Sequence, residues 1–322
     1  MNQKKKIDLV IPIFNEEEVL AVLFDRLGAV FSKNSTYDFS VYMVDDGSRD
    51  NSASLITKQQ VADRRYHLVQ LSRNFGHQQA ISAGLEKCSG DAAIFLDADL
   101  QDPPELITEM LVAWENGNEV VRAERLSRSE KGLRRLGFQV FHRFFSNFSD
   151  HPIPANSGTF SLLDRAAYES LRSLPEKHRF FPGLCAWIGF RQDSIRYHRE
   201  DRAAGEPKQS LRRLIRYALD ALFSFSYVPL RMMIYAGVFI SLLGFSVGFF
   251  FVLRRLLGVE VAFTGFTTII VTILGLGGLQ LICLGIIGEY LARIYDETKG
   301  RPFFIVRAEK ENTSSNQAEI TG

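Results

Sequence analysis

DADLQDPPE, Asp97 to Glu105, is the stretch from which the fold is read. It follows the apolar run Ala92 to Leu96, short and β-compatible, and precedes a helix-compatible segment opened by Pro103, Pro104 and Glu105. An acidic cluster at the carboxyl end of a buried strand stands where open α/β sheets bind ligands. Asp97 and Asp99, followed by Gln101, offer hard oxygen donors to a magnesium or manganese ion that also holds phosphate oxygens. The alternative is an acidic loop capping a helix, with Asp102 and Glu105 at its positive end. The neighbouring strand ends decide between the two.

Working outward, strand and helix signals alternate. Ile7 to Phe14 is an apolar, β-branched run suited to a strand covered on both faces. Asn15 with Glu18 has the spacing of a helix N-cap and its reciprocal partner, and Val19, Leu20, Leu23, Leu27 and Val30 supply the apolar stripe behind it. Phe39 to Val44 repeats the strand signal and ends in the turn Asp45, Asp46, Gly47, Ser48, before a helix near Ser52. His67 to Leu71 is a third strand, followed by Ser72 to Gly76 and a helix over His77 to Cys88. This alternation predicts an α/β domain with a mostly parallel sheet and helices on both faces. The strand-end loops then converge on one rim: Asn15 and Glu16, Asp45 and Asp46, Arg73 and Asn74, Asp97 and Asp99. Four polar clusters on one edge point to a nucleotide site. The first crossover has neither GxGxxG nor GxxxxGK[ST], so a carboxylate-held metal is the expected anchor for phosphates.

Composition bounds the rest. With 322 residues and 46% hydrophobic content the chain has material for more than one domain, and 38 basic against 37 acidic residues leave no global field to attract nucleic acid. Met232 to Leu253 and Val261 to Gly288 contain no charged residue and are each long enough to cross a hydrocarbon layer of ~30 Å. Two transmembrane helices are expected. Cys88, Cys185 and Cys283 are widely spaced and form no CxxC pair, which suggests neither a disulfide framework nor a zinc site. Lys4 to Lys6 precede an apolar stretch broken at Pro12, too short for a signal peptide, so the first domain is expected in the cytoplasm.

Taken together, IPIFNEEE at 11 to 18, VDDGSRDNS at 44 to 52, LSRNFGHQQA at 71 to 80, DADLQDPPE at 97 to 105, FSFSYVPLR at 223 to 231 and LGIIGEYLARIYDETKGRP at 284 to 302 carry a resemblance. They are similar, in order and combination, to family 2 glycosyltransferases of the GT-A (Rossmann-like) fold, and more narrowly to the polyisoprenyl-phosphate glycosyltransferases. The resemblance implies roles residue by residue. Pro12, Glu16 and Asp46 match residues lining the nucleoside pocket, with Asp45 beside them and Arg73 on the adjoining loop; Asp97 would face ribose and diphosphate. Asp99 and Gln101, with Asp97, would hold Mg²⁺ or Mn²⁺. Arg125 and Arg128 match phosphate-binding arginines, and Arg199, Arg202 and Lys208 match a basic loop that folds over donor and lipid phosphate. One position departs: where the family has an acidic residue assigned as catalytic base, NSGTF places Thr159. A base-independent natural enzyme, an engineered substitution and a protein of reduced activity all fit that departure. Asp164 is near enough to consider, but reads better as a helix start.

The remaining expectations concern the membrane. Leu133 to Phe148 mixes basic and aromatic residues at helical spacing and reads as an interface helix, with packing on the catalytic domain as the alternative. Ser210 to Phe225 has the same character. Arg212, Arg213, Arg216 and Arg231 before the hairpin, and Arg293, Lys299, Arg301 and Arg307 after it, put both ends in the cytoplasm of a bacterial inner membrane. The expected domains are a GT-A unit over 1–209, a juxtamembrane helix over 210–230, two spans over 231–290 and a tail over 291–322. Glycines 275, 277, 278, 285 and 288 permit close helix contact, within the hairpin or in a homo-oligomer. The expected activity is inverting transfer of one sugar, glucose from UDP-glucose first, onto undecaprenyl or another polyprenyl phosphate. UDP-GlcNAc, UDP-galactose and GDP-mannose are alternative donors. A processive polysaccharide synthase is disfavoured because no QxxRW occurs. A catalytically silent membrane scaffold or lipid-binding protein is the alternative from another class.

Overall fold

The computed structural model describes residues 4–126, 157–177, 179–197, 228–257 and 266–310. Strand and helix alternate through β1 (Lys6–Ile13), α1 (Leu20–Lys33), β2 (Asp38–Asp45), α2 (Ser52–Ala62), β3 (Tyr66–Leu71), α3 (His77–Leu85) and β4 (Ala92–Phe95). A 3₁₀ turn (Pro104–Leu106) leads to α4 (Ile107–Glu115), followed by β5 (Val120–Arg125), β6 (Ser157–Asp164), α5 (Arg165–Ser173), α6 (Phe181–Trp187) and β7 (Gln192–Tyr197). Two long helices, α7 (Val228–Leu256) and α8 (Phe266–Thr298), precede a last strand, β8 (Val306–Lys310).

Among the described residues the strands form one sheet in the order β7-β5-β6-β4-β1-β2-β3-β8. Four pairings are parallel and three antiparallel, the latter being β6 with β4, β6 with β5, and β8 on β3. This is the mostly parallel GT-A arrangement expected above. β1 is buried at every position but Lys6, as a strand covered on both faces must be. On one face Ile7, Leu9, Ile11 and Met43 meet Leu20, Leu23, Leu27 and Val30 of α1 with Met110 and Leu111 of α4. On the other face α3 lies so close to β1 that a Cβ on Gly84 would fall 2.2 Å from Val10 Cγ1. Asp8, buried within β1, accepts the N–H groups of Ser89 at 2.6 Å and Gly90 at 2.7 Å and so fixes the entry into β4. Burial pushes its carboxyl pKa up despite those bonds.

Several local readings change. The apolar stripe of α1 is buried as expected, but the helix starts at Leu20 behind Val19, with no side-chain cap. Asn15 and Glu18 therefore form no capping box. Asp164 does cap α5, accepting Ala166 N–H at 3.1 Å, while its other oxygen accepts Trp114 Nε1–H at 2.8 Å. The segment assigned to a tail begins inside α8 and includes β8, which pairs antiparallel with the outer edge of β3.

The chain divides into two compact units, the sheet unit (1–146, 151–214 and 301–322) and a helical unit (147–150 and 215–300). In the helical unit, Gly275–Thr298 of α8 is long and apolar enough to cross a membrane, whereas the apolar part of α7 spans only Met232–Val247. One stretch among the described residues thus meets that measure, where two were expected. Large apolar side chains on both helices, such as Phe239, Phe245, Leu281 and Leu291, are exposed. The amphipathic segments 133–148 and 210–225, and the first residues of the second expected span, lie outside the described residues.

Candidate active site

β1 lies between β2 and β4 with all three parallel, so the direction of winding reverses there. The carboxyl ends on either side of that reversal open a crevice, the usual ligand position in such sheets. Four loops meet at this edge, and their hydrogen bonds show what each polar residue does.

The loop after β1 is knitted to the loop after β2. Asn15 sits at φ 54°, in the left-handed region that asparagine tolerates. Its N–H donates to Ser48 Oγ at 3.0 Å and its Oδ1 accepts Arg49 N–H at 2.8 Å. Glu16 N–H donates to Ser52 Oγ at 3.0 Å, and Glu17 Oε2 accepts Asn51 N–H at 2.9 Å. Pro12 is buried in β1 beside Val44 of β2.

Asp45 and Asp46 end β2. Asp45, fully buried, accepts Ser48 N–H at 2.9 Å and Gln70 Nε2–H at 3.2 Å. Asp46 accepts Phe75 N–H at 2.7 Å on one oxygen and Gly76 N–H at 2.9 Å on the other. Burial raises its pKa against the pull of those two bonds. The contact is close because Gly47 has no side chain: at φ +71°, an added Cβ would sit 2.7 Å from Arg73 C and Asn74 N. Asp46 therefore organises the loop after β3. The Arg73 guanidinium in that loop lies 4.0 Å from the centre of the Phe75 ring.

The acidic turn after β4 is built around a strained residue. Leu100 has φ 57° yet is buried in the core, and Asp99 Oδ1 accepts Gln101 N–H at 3.1 Å. Burying Leu100 leaves Asp99 on the rim beside Asp97, while Gln101 is itself largely buried. His77, the first residue of α3, meets Asp97 with Nε2 2.8 Å from Oδ1. Desolvation lowers the imidazole pKa, but the carboxylates of Asp97, Asp46 and Asp99 together outweigh it and the pKa is raised. Sequence reading passed over His77, which there looked like an ordinary helix start.

Two other acidic residues of the stretch are anchors. Asp102 is buried, accepting Arg125 Nη2–H at 2.9 Å and the Tyr197 hydroxyl, while Arg125 Nε–H donates to Tyr197 Oη at 3.0 Å. Asp102 and the Tyr197 ring system hold the Arg125 pKa up against desolvation. Arg125 is thus tied to the turn before any phosphate arrives. Glu105 forms a two-pronged pair with Arg26 of α1, at 2.8 Å (Nε) and 2.6 Å (Nη2). Neither residue caps the 3₁₀ turn through its side chain, although Glu105 does stand in its first turn, as the helix-end alternative expected.

Thr159 lies in β6 and is nearly buried. The last β4–β6 pair is Phe95 with Ser161, two residues from Thr159 in β6 and two from Asp97 after β4. β6 bulges there: Gly158, Thr159 and Phe160 face the single Ala123 of β5. Arg128, Arg199, Arg202 and Lys208 lie outside the described residues.

Asp97, Asp99 and Gln101 suit a hard divalent ion in donor type. Among the described residues no cluster of three or more His, Cys, Asp or Glu can hold a metal by itself. Two carboxylates and an amide oxygen leave coordination positions to phosphate and water, the habit of Mg²⁺ and Mn²⁺ at nucleotide sites.

Residues 8–172 match the family described as glycosyl transferase family 2. A bactoprenol glucosyl transferase of Shigella phage SfV is 38% identical over 308 residues, which is 95% of this chain and 99% of that one. An uncharacterised glycosyltransferase of Synechocystis is 41% identical over 304 residues, 94% of each chain. The solved structure of mannosyl-3-phosphoglycerate synthase from Rubrobacter xylanophilus aligns at TM-score 0.48 and 20% identity, over 67% of this chain and 71% of that one. With the family matched across half the sequence and a relative matched across nearly all of it, this chain belongs to glycosyltransferase family 2 and is a glycosyltransferase.

Proposed function

We propose that the enzyme transfers one glucose from UDP-glucose to undecaprenyl or another polyprenyl phosphate, with inversion, at the cytoplasmic face of a bacterial membrane. The observation that carries this reading is the likeness, over 95% of the chain, to a relative named bactoprenol glucosyl transferase. The edge geometry supports it: Pro12, Glu16, Asp45, Asp46 and Arg73 frame the nucleoside end of the crevice, and Asp97 and Asp99 the diphosphate end. Bound on Asp99, Asp97 and Gln101, Mg²⁺ or Mn²⁺ would supply Lewis acidity to the departing diphosphate.

The lipid phosphate oxygen attacks the anomeric carbon opposite the leaving group. A new C–O bond forms as the bond to the diphosphate breaks, and the nucleoside diphosphate leaves with the electron pair. Thr159 accepts no proton at neutral pH. A phosphate monoester with a second pKa near ~6 already carries the anionic oxygen. Arg128, Arg199, Arg202 and Lys208 neutralise the phosphates in this reading, and Arg125, held by Asp102 and Tyr197, acts as a fixed end of that basic set.

The exposed apolar surfaces of α7 and α8 support a hairpin of two spans, with the basic residues at both ends facing the cytoplasm. Thr159 favours a second reading, a catalytically silent lipid-binding scaffold. Incubating the purified protein with labelled UDP-sugars, GDP-mannose, undecaprenyl phosphate and Mg²⁺ or Mn²⁺ separates the two. Labelled lipid-linked sugar establishes the transferase; nucleotide binding without product from any donor leaves the scaffold.

A further inference from the structure

We infer that His77 is a positioning residue for Asp97, holding the carboxylate in the one orientation in which it meets the metal–diphosphate end of the donor. The inference rests on the donor-site reading proposed above and deepens it.

Asp97 needs an external brace. β4 ends at Phe95, so Asp97 stands beyond the last paired residue of its strand, and its side chain is 27% exposed. Its Oδ1 lies 2.8 Å from His77 Nε2. His77, by contrast, is held from three sides. Immediately before it, Phe75 and Gly76 are pinned by their N–H groups to Asp46. Immediately after it, Gln78 Oε1 accepts Phe181 N–H at 2.9 Å, joining α3 to α6. Behind it, the face of α3 from Ala80 to Leu85 is buried, with Gly84 in close contact with β1.

The consequence is a continuous path across the crevice. The end of β2 fixes the loop after β3, that loop fixes the start of α3, and the first side chain of α3 fixes the turn after β4. Partners that orient ligating groups typically change metal affinity or activity by about 10–100-fold when removed. A purely structural residue on a rim would not need its ring nitrogen aimed at the acidic turn.

Calorimetric binding of UDP to the full-length protein in detergent, with and without Mn²⁺, tests this with no turnover required. In His77→Ala, UDP binding in the presence of Mn²⁺ is expected to weaken about 10-fold or more, with the thermal midpoint near that of the wild type. His77→Gln keeps an N–H donor of similar reach and is expected to recover most of the affinity. The His77→Ala/Asp97→Asn double variant is expected to bind no more weakly than Asp97→Asn alone, because the two act as one unit. Wild-type affinity in His77→Ala, equal losses in the Ala and Gln variants, or losses that multiply in the double variant would each overturn the inference. Wild-type protein that binds no UDP with Mn²⁺ overturns the donor-site reading itself, and this inference with it.

Discussion

Replacing Arg125 by methionine separates a structural arginine from a ligand-binding one. The substitution keeps an unbranched stem along β5 but removes both N–H groups that reach Asp102 and Tyr197. Asp102 is 1% exposed on its side chain, so its charge would be left inside the protein with, among the described residues, only the Tyr197 hydroxyl as partner. Breaking a buried pair by removing one member costs about 3–5 kcal/mol. Since the Arg125 side chain is 27% exposed, the lower end, about 3 kcal/mol, is the appropriate expectation. For a unit of this size that corresponds to a fall in Tm of roughly 6–12 °C. Thermal unfolding of Arg125→Met followed by tryptophan fluorescence in detergent measures it, with Asp102→Asn, which keeps an acceptor oxygen, expected to lose less. A Tm within about 2 °C of wild type, together with weakened UDP binding, would refute the argument and make Arg125 a free phosphate ligand.

The other predictions address the remaining loops. Gly47→Ala places a Cβ against the backbone of Arg73 and Asn74 at positive φ, and is expected to cost about 1–3 kcal/mol and to raise the KM for donor; wild-type Tm and KM would show that the two loops do not depend on this contact. Arg26 bonding holds the Glu105 pKa below its usual value, so the stabilisation is present above about pH 4.3 and is lost as pH falls through the lower folded value. The stability difference between wild type and Arg26→Met, about 0.5 kcal/mol at pH 7 for this half-exposed pair, should therefore shrink to nothing as pH falls below that lowered folded value; a difference that grows in acid contradicts the assignment. Asp99→Ala should abolish transfer at all Mg²⁺ and Mn²⁺ concentrations, and full activity would remove Asp99 from the metal site. Thr159→Asp tests whether a base is wanted: an unchanged rate is expected for an acceptor that is already anionic, whereas a rise of about 10-fold or more would show proton transfer to matter.

Those parts of the fold that depend on local burial were legible in the sequence. β1 to β4 are short apolar runs because both faces of the sheet are covered, and a run of that kind announces itself without knowledge of its partners. The polar strand ends were legible as well, although Asp45 and Asp46 spend their oxygens on the loops beside them. What was missed is non-local. The Asn15 and Glu18 spacing resembled a cap, but Asn15 spends its side chain on Arg49, a residue of the neighbouring loop. Arg125 looked like a free cation because its partners, Asp102 and Tyr197, arrive from distant parts of the chain. Leu100 carries no sign of its left-handed backbone, since its strain is sustained by burial rather than by residue type. VRAEK alternates only briefly, Val306 and Ala308 against Arg307 and Glu309, and its partner, the edge of β3, lies far away in the chain.

That edge strand also sets a schedule for folding. Leu68 of β3 pairs with Lys310 of β8, so the sheet is completed only after both long helices have left the ribosome. At ~5–20 residues per second, the outer edge of β3 waits on the order of 10–50 s for its partner. Throughout that interval its backbone groups are open to pairing with another chain. The loop after β3 is unfinished as well, because Ser72 N–H finds its acceptor only when Ile305 O arrives at 2.9 Å. The loop after β3 thus reaches its final form late, after both long helices have been made.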